Sequence, residues 1–210
     1  MSLFKIRNVS YKGIVSYQNI NINKDKVTFI SGQSGTGKST LLKLLNGMIT
    51  ADKGEVLYKD KPITEYDTIE LRREVIMVNQ NVYLFDSSIS ENFREFYKYR
   101  EEKIPTEEEM LFYLKLCWAD FDLKAKAIDL SGGERQRVFI AICLSFLPKV
   151  ILLDEPTSAL DQVTSERLMK NLKEFCMEKN ITVIGVTHDK GLGLKYGDEI
   201  IELGSEVEHE

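Results

Sequence analysis

Residues 32–40 read Gly32-Gln33-Ser34-Gly35-Thr36-Gly37-Lys38-Ser39-Thr40, and their reading decides the fold. They satisfy the phosphate-binding spacing Gly-x-x-x-x-Gly-Lys-Ser/Thr at Gly32, Gly37, Lys38 and Ser39. Residues 26–31 before them are mostly apolar and read as a buried strand. After them, Leu41, Leu42, Leu44, Leu45 and Met48 fall at helical spacing. Strand, loop and helix in that order are the context the spacing requires. The glycines let the backbone fold around phosphates without a Cβ in the way. Backbone N–H groups at a helix start face the anion, and the helix dipole adds to the attraction. Lys38 is placed to reach the outer phosphates, and the Ser39 hydroxyl to hold Mg2+. A chance glycine-rich turn is the competing reading. The bare spacing arises in about one chain in a hundred, and the flanking elements reduce that further.

The 210 residues suffice for one large α/β domain, or for a core with a small appendage. A hydrophobic share of 43% and a charged share of 29% are ordinary for a globular chain. A net charge of −5 argues against a nucleic-acid binder held by bulk charge, and no nucleic-acid partner is expected. Cys117, Cys143 and Cys176 are far apart, odd in number and without metal-ligand spacing, so they read as reduced packing residues of a cytosolic protein. The N-terminal residues lack the apolar run of a secretory signal. The longest apolar run, 138–147, is about half of a ~20-residue membrane span and stops at Pro148. The chain is therefore expected to work at a membrane only by docking to another protein.

Residues 3–9, 15–22 and 26–31 alternate or cluster apolar side chains as strands do. Residues 55–58 and the Pro62-Ile63 segment predict a hairpin, 68–73 a short helix and 75–78 a buried strand ending at Asn79-Gln80. The stretch 81–129 changes character. It holds half of the chain's aromatic residues (Phe 10, Tyr 9, Trp 1) and a capping box at Thr106 and Glu109. It reads as a small helical unit inserted into the α/β domain. Its aromatics either form that unit's core or partly serve to dock a partner, since a small unit has little interior. A helix is predicted over 130–147, a buried strand over 150–153, an amphipathic helix over 164–177 and further strands over 181–186 and 199–203. Residues 204–210, with His209, read as a polar tail.

Chemistry-bearing residues follow the buried strands. Asp154 and Glu155 cap an uninterrupted apolar run and emerge at the carboxyl end of a parallel strand, where α/β sheets place ligands. Asp154 suits Mg2+, and Glu155 can orient and deprotonate a water for in-line attack on a γ-phosphate. His188 and Gln80 end two other strands and should reach the same sheet edge. His188 alone would more often be a structural hydrogen-bonding group, and Gln80 could hold the metal or the attacking water. Ser131, Gly132 and Gly133 open a helix and make a second anion cradle. One nucleotide does not need two such cradles from one compact domain. A symmetric dimer in which each subunit lends Ser131-Gly132-Gly133 to the other's nucleotide resolves the excess, against the alternative of an ordinary turn before a helix.

Taken together the motifs resemble those of ABC-transporter ATPase subunits over nearly the whole chain. In the family's order stand an aromatic at Tyr11, the Walker A loop at 32–40, the Q-loop at Gln80 and the signature at 130–136. Walker B at 150–155, the D-loop at Ser158-Ala159-Leu160-Asp161 and the switch histidine at His188 follow. The resemblance implies an α/β fold in one domain. A P-loop NTPase core with a mainly parallel sheet (1–80 and 130–210) would carry an antiparallel β subdomain and a small helical subdomain at about 81–129. It implies that Tyr11 stacks on adenine, that Lys38 binds the β- and γ-phosphates, and that Ser39, Gln80 and Asp154 surround Mg2+. Glu155 would be the catalytic base and His188 would touch the γ-phosphate. Ser131 and Gly133 would close over the facing subunit's ATP, and Asp161 would line that interface. A separate transmembrane permease would seat a coupling helix in a groove formed by the helical insert and Gln80, which places the chain on the cytoplasmic face of the cell membrane.

The chain departs from the family pattern at Ala141-Ile142-Cys143, where an arginine is usual at 142, and at Asn79. The stretch from Gln80 to Asn92 and Pro148-Lys149-Val150 are similar to those of bacterial exporters, including iron-export-type ATPases. A soluble ABC-type ATPase acting as a switch in translation or DNA repair is the alternative. Only about fifty residues separate Gln80 from Leu130, and no heptad run for a coiled-coil insert occurs among them. A metabolite kinase sharing only the phosphate loop would leave Ser131-Gly132-Gly133 unexplained.

Overall fold

Two sheets carry the chain in a computed structural model that describes residues 1–204. The predicted tail, with His209, lies outside the described residues from 205 onward. The first sheet is antiparallel. Its β1 (Ser2–Tyr11) pairs on one side with β2 (Val15–Tyr17) and β3 (Ile20–Asn23), and on the other with β5 (Lys53–Tyr58), which turns into β6 (Lys61–Pro62). The single strand expected over 15–22 is thus two. Asn8 takes a left-handed conformation (φ 46°), which kinks β1 and interrupts pairing opposite Gln18 and Asn19. Lys59 and Asp60, both at positive φ, form the two-residue hairpin turn between β5 and β6.

The second sheet is wholly parallel. Its order is β10 (Glu199–Glu202), β4 (Val27–Ser31), β9 (Thr182–Val186), β8 (Val150–Asp154) and β7 (Val75–Val78). Every residue of β8 and β9 is buried, which accounts for their unbroken apolar runs. Alternate side chains feed two cores. Val150, Leu152, Ile184 and Val186 pack toward α1 (Lys38–Leu45) and the antiparallel sheet. Ile151, Leu153, Val183 and Phe29 pack toward the helical side, which includes α5 (Gly132–Ser145) and α6 (Gln162–Glu178). Each fully buried Leu, Ile or Phe here contributes about 1.5–3 kcal/mol of transfer free energy. Cys117, Cys143 and Cys176 are free and buried in the helical core, and burial pushes Cys143 and Cys176 up to about 12, so they stay thiols.

The end of one helix and the presence of another differ from the sequence expectation. Helix α5 stops at Ser145, not 147, because Leu147 turns into the left-handed region (φ 47°) just before Pro148. The sequence pattern marks no helix over 190–196, where Gly191 and Gly193 lower helix propensity. It forms as α7 (Lys190–Tyr196) because Asp189 caps it, accepting from Leu192 N–H at 3.0 Å, and because Leu192 and Tyr196 are buried.

Between α2 (Thr68–Glu74) with β7 and the start of α5, the chain forms α3 (Ile89–Tyr99) and α4 (Glu107–Leu116), each opened by a complete capping box. Phe93, Tyr97, Met110 and Leu114 join the same core cluster as Val78 and Leu168. The Tyr97 hydroxyl donates to the Ser145 carbonyl at 2.9 Å. The aromatics divide: Phe93 and Tyr97 are core, whereas Tyr83 and Tyr99 are 67% and 73% exposed.

Candidate active site

The parallel ladder brings four chain segments to one sheet edge. Ile30 pairs with Val186 and Val186 with Asp154, so β4, β9 and β8 end level, and Val78 of β7 pairs with Leu153 beside them. The residues that follow, 32–40, Thr187-His188, Glu155 and Asn79-Gln80, must emerge together. Carboxyl ends of parallel strands are where ligands sit in such sheets.

The loop between β4 and α1 is shaped by Gly37 (φ 87°), which caps α1 without any side-chain acceptor. The first N–H groups of α1 are therefore left for an anion. A Cβ at Gly37 would lie 2.5 Å from the Tyr17 hydroxyl and 2.7 Å from Val15, so only glycine fits. Lys38 is buried, and its ammonium donates to the carbonyls of Gly32 (2.9 Å) and Gln33 (2.8 Å), which folds it across the loop. Gln33, Ser34 and Gly35 form the exposed tip, and the Thr36 hydroxyl donates to Gln33.

Ser39 donates its hydroxyl to Asp154 Oδ1 at 2.8 Å. Burial holds the Asp154 carboxyl above the ordinary carboxylate range; the Ser39 bond counters this in part, and the neighbouring Glu155 adds to it. This hard-oxygen pair fits Mg2+. No cluster of three or more His, Cys, Asp or Glu side chains able to hold a metal occurs among the described residues. A cation here would draw its other ligands from neutral oxygens such as the Gln80 amide, from phosphate oxygens and from water.

Glu155 is held from both sides. His188 Nε2 lies 2.6 Å from Oε1, and Gln80 Nε2 donates to Oε2 at 3.0 Å. Its backbone is left-handed (φ 52°), a conformation that costs free energy in a non-glycine residue and is seen at functional sites. Its N–H donates to the Val186 carbonyl at 3.0 Å, and its own carbonyl accepts from Gln136 Nε2 at 3.3 Å and Ser158 Oγ at 3.1 Å. A cavity of about 540 Å3 is lined by Glu155, Ser158, His188 and Asp189.

The remaining expected residues sit at more distance. Tyr11 ends β1 opposite Val15, half-buried, with the Lys12 ammonium 5.3 Å from its ring centroid. Ser131 and Gly132 are exposed, and among the described residues no hydrogen bond joins 131–133 to the phosphate loop. A Cβ on Gly133 would meet the Ala159 carbonyl at 2.7 Å, so α5 starts against the loop that Asp161 closes by capping α6. Sequence reading missed Gln136 as a prop of Glu155, although it lies in the quoted 130–136 stretch. It also missed Tyr17, whose hydroxyl donates to the Gly37 carbonyl at 2.6 Å across twenty positions of sequence. No local pattern marks that contact.

A family model described as ABC transporter matches residues 15–158. The Lactobacillus gasseri phosphonates import ATP-binding protein PhnC is 37% identical over 204 residues, covering 90% of this chain and 78% of that protein. The probable iron export ATP-binding protein FetA of Escherichia coli is 31% identical over 205 residues, covering 96% and 91%. A dimeric ATP-binding cassette solved in a post-hydrolysis state with ADP and Pi superposes with a TM-score of 0.79 at 30% identity, covering 95% of this chain and 93% of that one. The expected α/β P-loop fold and ATPase activity are accordingly those of these relatives. The chain belongs to the ABC transporter family as an ATP-binding subunit, an ATPase.

Proposed function

We propose that Glu155 is the general base of ATP hydrolysis at this site and that hydrolysis takes place in a head-to-tail homodimer. The observation that carries the reading is the Glu155 carboxylate, gripped by His188 at 2.6 Å and Gln80 at 3.0 Å beside the Ser39–Asp154 pair. Lys38 and the free N–H groups of α1 bind the β- and γ-phosphates. Tyr11 stacks on adenine. Ser39, Asp154 and Gln80 hold Mg2+, which supplies charge neutralisation at the phosphates when bound. Glu155 takes the proton of the attacking water, and His188 both orients that carboxylate and donates toward the γ-phosphate. Ser131, Gly132 and Gly133 act on the nucleotide of the facing subunit, and Asp161 lines the shared interface.

The same reading pairs the chain with a transmembrane permease on the cytoplasmic face of a membrane. None of its described helices is long and apolar enough to cross one. The docking groove is the cavity of about 320 Å3 lined by Met48, Arg72, Asn79, Phe96, Tyr99 and Phe146, beside Gln80. Ile142, at the usual arginine position, also lines it, so its floor is apolar and uncharged there. Export is the proposed direction, on the similarity of residues 80–92 to exporters and on the iron-export relative, although other relatives carry import names.

The test is Glu155→Gln. ATP should convert that variant to a stable dimer in size-exclusion chromatography, with turnover reduced about a thousandfold or more. Hydrolysis at the wild-type rate would remove Glu155 from its role. Co-purification of a multi-span membrane protein from detergent extracts checks the permease; recovery with ribosomal or repair proteins would reject it. With iron taken as the cargo, by analogy with the FetA relative, deleting the gene in its source organism should raise cellular iron; a fall would reverse the direction, and no change would reject iron as the cargo.

A further inference from the structure

The Gly37–Lys38 peptide group is where the phosphate loop becomes helix α1. Its carbonyl accepts two hydrogen bonds, one from Leu41 N–H at 2.8 Å within the helix and one from the Tyr17 hydroxyl at 2.6 Å. Tyr17 belongs to β2, in the antiparallel sheet, and is only 3% exposed. Its ring packs in the core shared with Leu41 and Ile30, so the phenol approaches the loop on a rigid mount. Burial pushes its ionisation well above the usual phenol range, with the Thr40 side chain beside it acting the other way. The hydroxyl is thus a neutral donor at any pH at which the protein is used. Gly37, at φ 87° with no side-chain cap, is a joint that no Cβ restrains.

We propose that Tyr17 is a positioning residue for nucleotide phosphates. Its hydroxyl fixes the Gly37 carbonyl and thereby aims the Lys38 N–H into the phosphate cradle. The peptide unit is planar and trans, so its C=O and N–H point in opposite directions. Holding the oxygen toward β2 turns the N–H toward the anion. Without the phenol, the plane is held from one side only, by the first bond of a helix that frays at its end. The glycine and the tyrosine need each other: any side chain at 37 would displace the hydroxyl, since its Cβ would stand 2.5 Å away.

This inference rests on the phosphate loop binding nucleotide through Lys38, and the experiment separates the two. MgATP and MgADP affinities would be measured by calorimetry for the wild type, Tyr17→Phe, Tyr17→Leu and Lys38→Ala, with unfolding temperatures taken without nucleotide. Tyr17→Phe keeps the ring and leaves Gly37 bonded to Leu41. It should raise the Kd of both nucleotides by a similar factor, about fivefold, and leave its unfolding temperature near wild type. KM should rise by the same factor while kcat at saturating ATP stays put, a split that general loosening of the fold does not produce. Tyr17→Leu should weaken binding as much as Tyr17→Phe. Wild-type affinity in Tyr17→Phe, with Lys38→Ala weakened, would overturn the role of Tyr17 alone. Loss in Tyr17→Leu but not Tyr17→Phe would assign the effect to ring packing and equally overturn it. Undiminished binding by Lys38→Ala would bring down the phosphate-loop reading and this inference with it.

Discussion

Two helices of this chain begin at glycines, and their N-termini are finished differently. Helix α1 starts at Gly37 with no side chain on its first N–H groups. Helix α5 starts at Ser131, whose hydroxyl accepts from Glu134 N–H while the Glu134 carboxylate accepts from Ser131 N–H at 2.8 Å. The first end is open and needs an anion to satisfy it; the second is satisfied by its own residues. The first also has charge and metal-binding oxygen at hand, Lys38 inside the loop and Asp154 on Ser39. The second presents an exposed serine and glycine with a carboxylate one turn in. A helix dipole alone therefore does not make two equivalent phosphate sites. The open end can bind nucleotide within one chain, whereas the closed end has a part to play only in the proposed dimer, where another subunit's ATP would reach it.

The largest effect expected from this contrast is at Lys38. Lys38→Ala removes the ammonium from the open end, and MgATP affinity should fall about 100-fold, as for loss of charge-assisted bonds in a buried setting. Calorimetry on the monomer reads it. The matching change at the closed end, Ser131→Arg, should cut ATP turnover by at least about two orders of magnitude. It should leave MgATP binding to the monomer within about twofold of wild type. Equal loss of binding in both variants would erase the distinction between the ends and place the second cradle in the same subunit as the first.

A finer version uses the glycines. Gly37→Ala puts a Cβ against Tyr17 and Val15 in a left-handed conformation, so it should lower stability by about 1–3 kcal/mol and weaken ATP binding besides. Gly132 has nothing within 4 Å of where its Cβ would be. Gly132→Ala should leave stability and monomer binding unchanged, or slightly improve the former, while turnover falls if, as proposed, the facing subunit's nucleotide approaches that backbone. Denaturant titration with a turnover assay measures both. Full turnover in Gly132→Ala would show that no phosphate comes close to the start of α5.

Most of this architecture was legible because it rests on local signals. The strand-loop-helix at 26–48, the buried runs of β8 and β9, and the capping box at Thr106 and Glu109 are read from neighbouring residues. So is the emergence of Gln80, Glu155 and His188 at one sheet edge, since parallel strands impose it. What could not be read depends on long-range approach. Tyr17 meets Gly37 only because β2 lies over the phosphate loop. The bond from Gln80 to Glu155 spans 75 positions and depends on the β7–β8 register. The split between β2 and β3 comes from a kink at Asn8 in the opposite strand, and α7 forms on buried Leu192 and Tyr196 against the pull of its glycines. The division of the aromatics in 81–129 between core and surface follows from how α3 and α4 lean on α5, which composition does not fix.

The smallest effect expected concerns acid. Glu134 is held below the ordinary carboxylate range, first by the Ser131 hydroxyl and then by the Ser131 N–H. Glu91 and Glu109 are lowered in the same way, first by the backbone N–H and then by the hydroxyl of Ser88 and Thr106. A carboxyl whose folded value is depressed binds protons more tightly when unfolded, so its box stabilises the fold fully above the unfolded value, near 4.5. That stabilisation is lost as pH falls through the lower folded value. The open end of α1 has no such carboxylate, and its loop should not share this acid limb. Replacing all three with glutamine keeps a neutral box partner but removes the titration. At pH 7 the triple variant should unfold about 1–2 °C below wild type, and the gap should close as pH drops below about 4. All three acids are at or near the surface, where solvent screening keeps the effect small. Unfolding temperatures across that range measure it. A gap that persisted at low pH would mean that lost packing, and not the ionised capping bond, is what the three glutamates contribute.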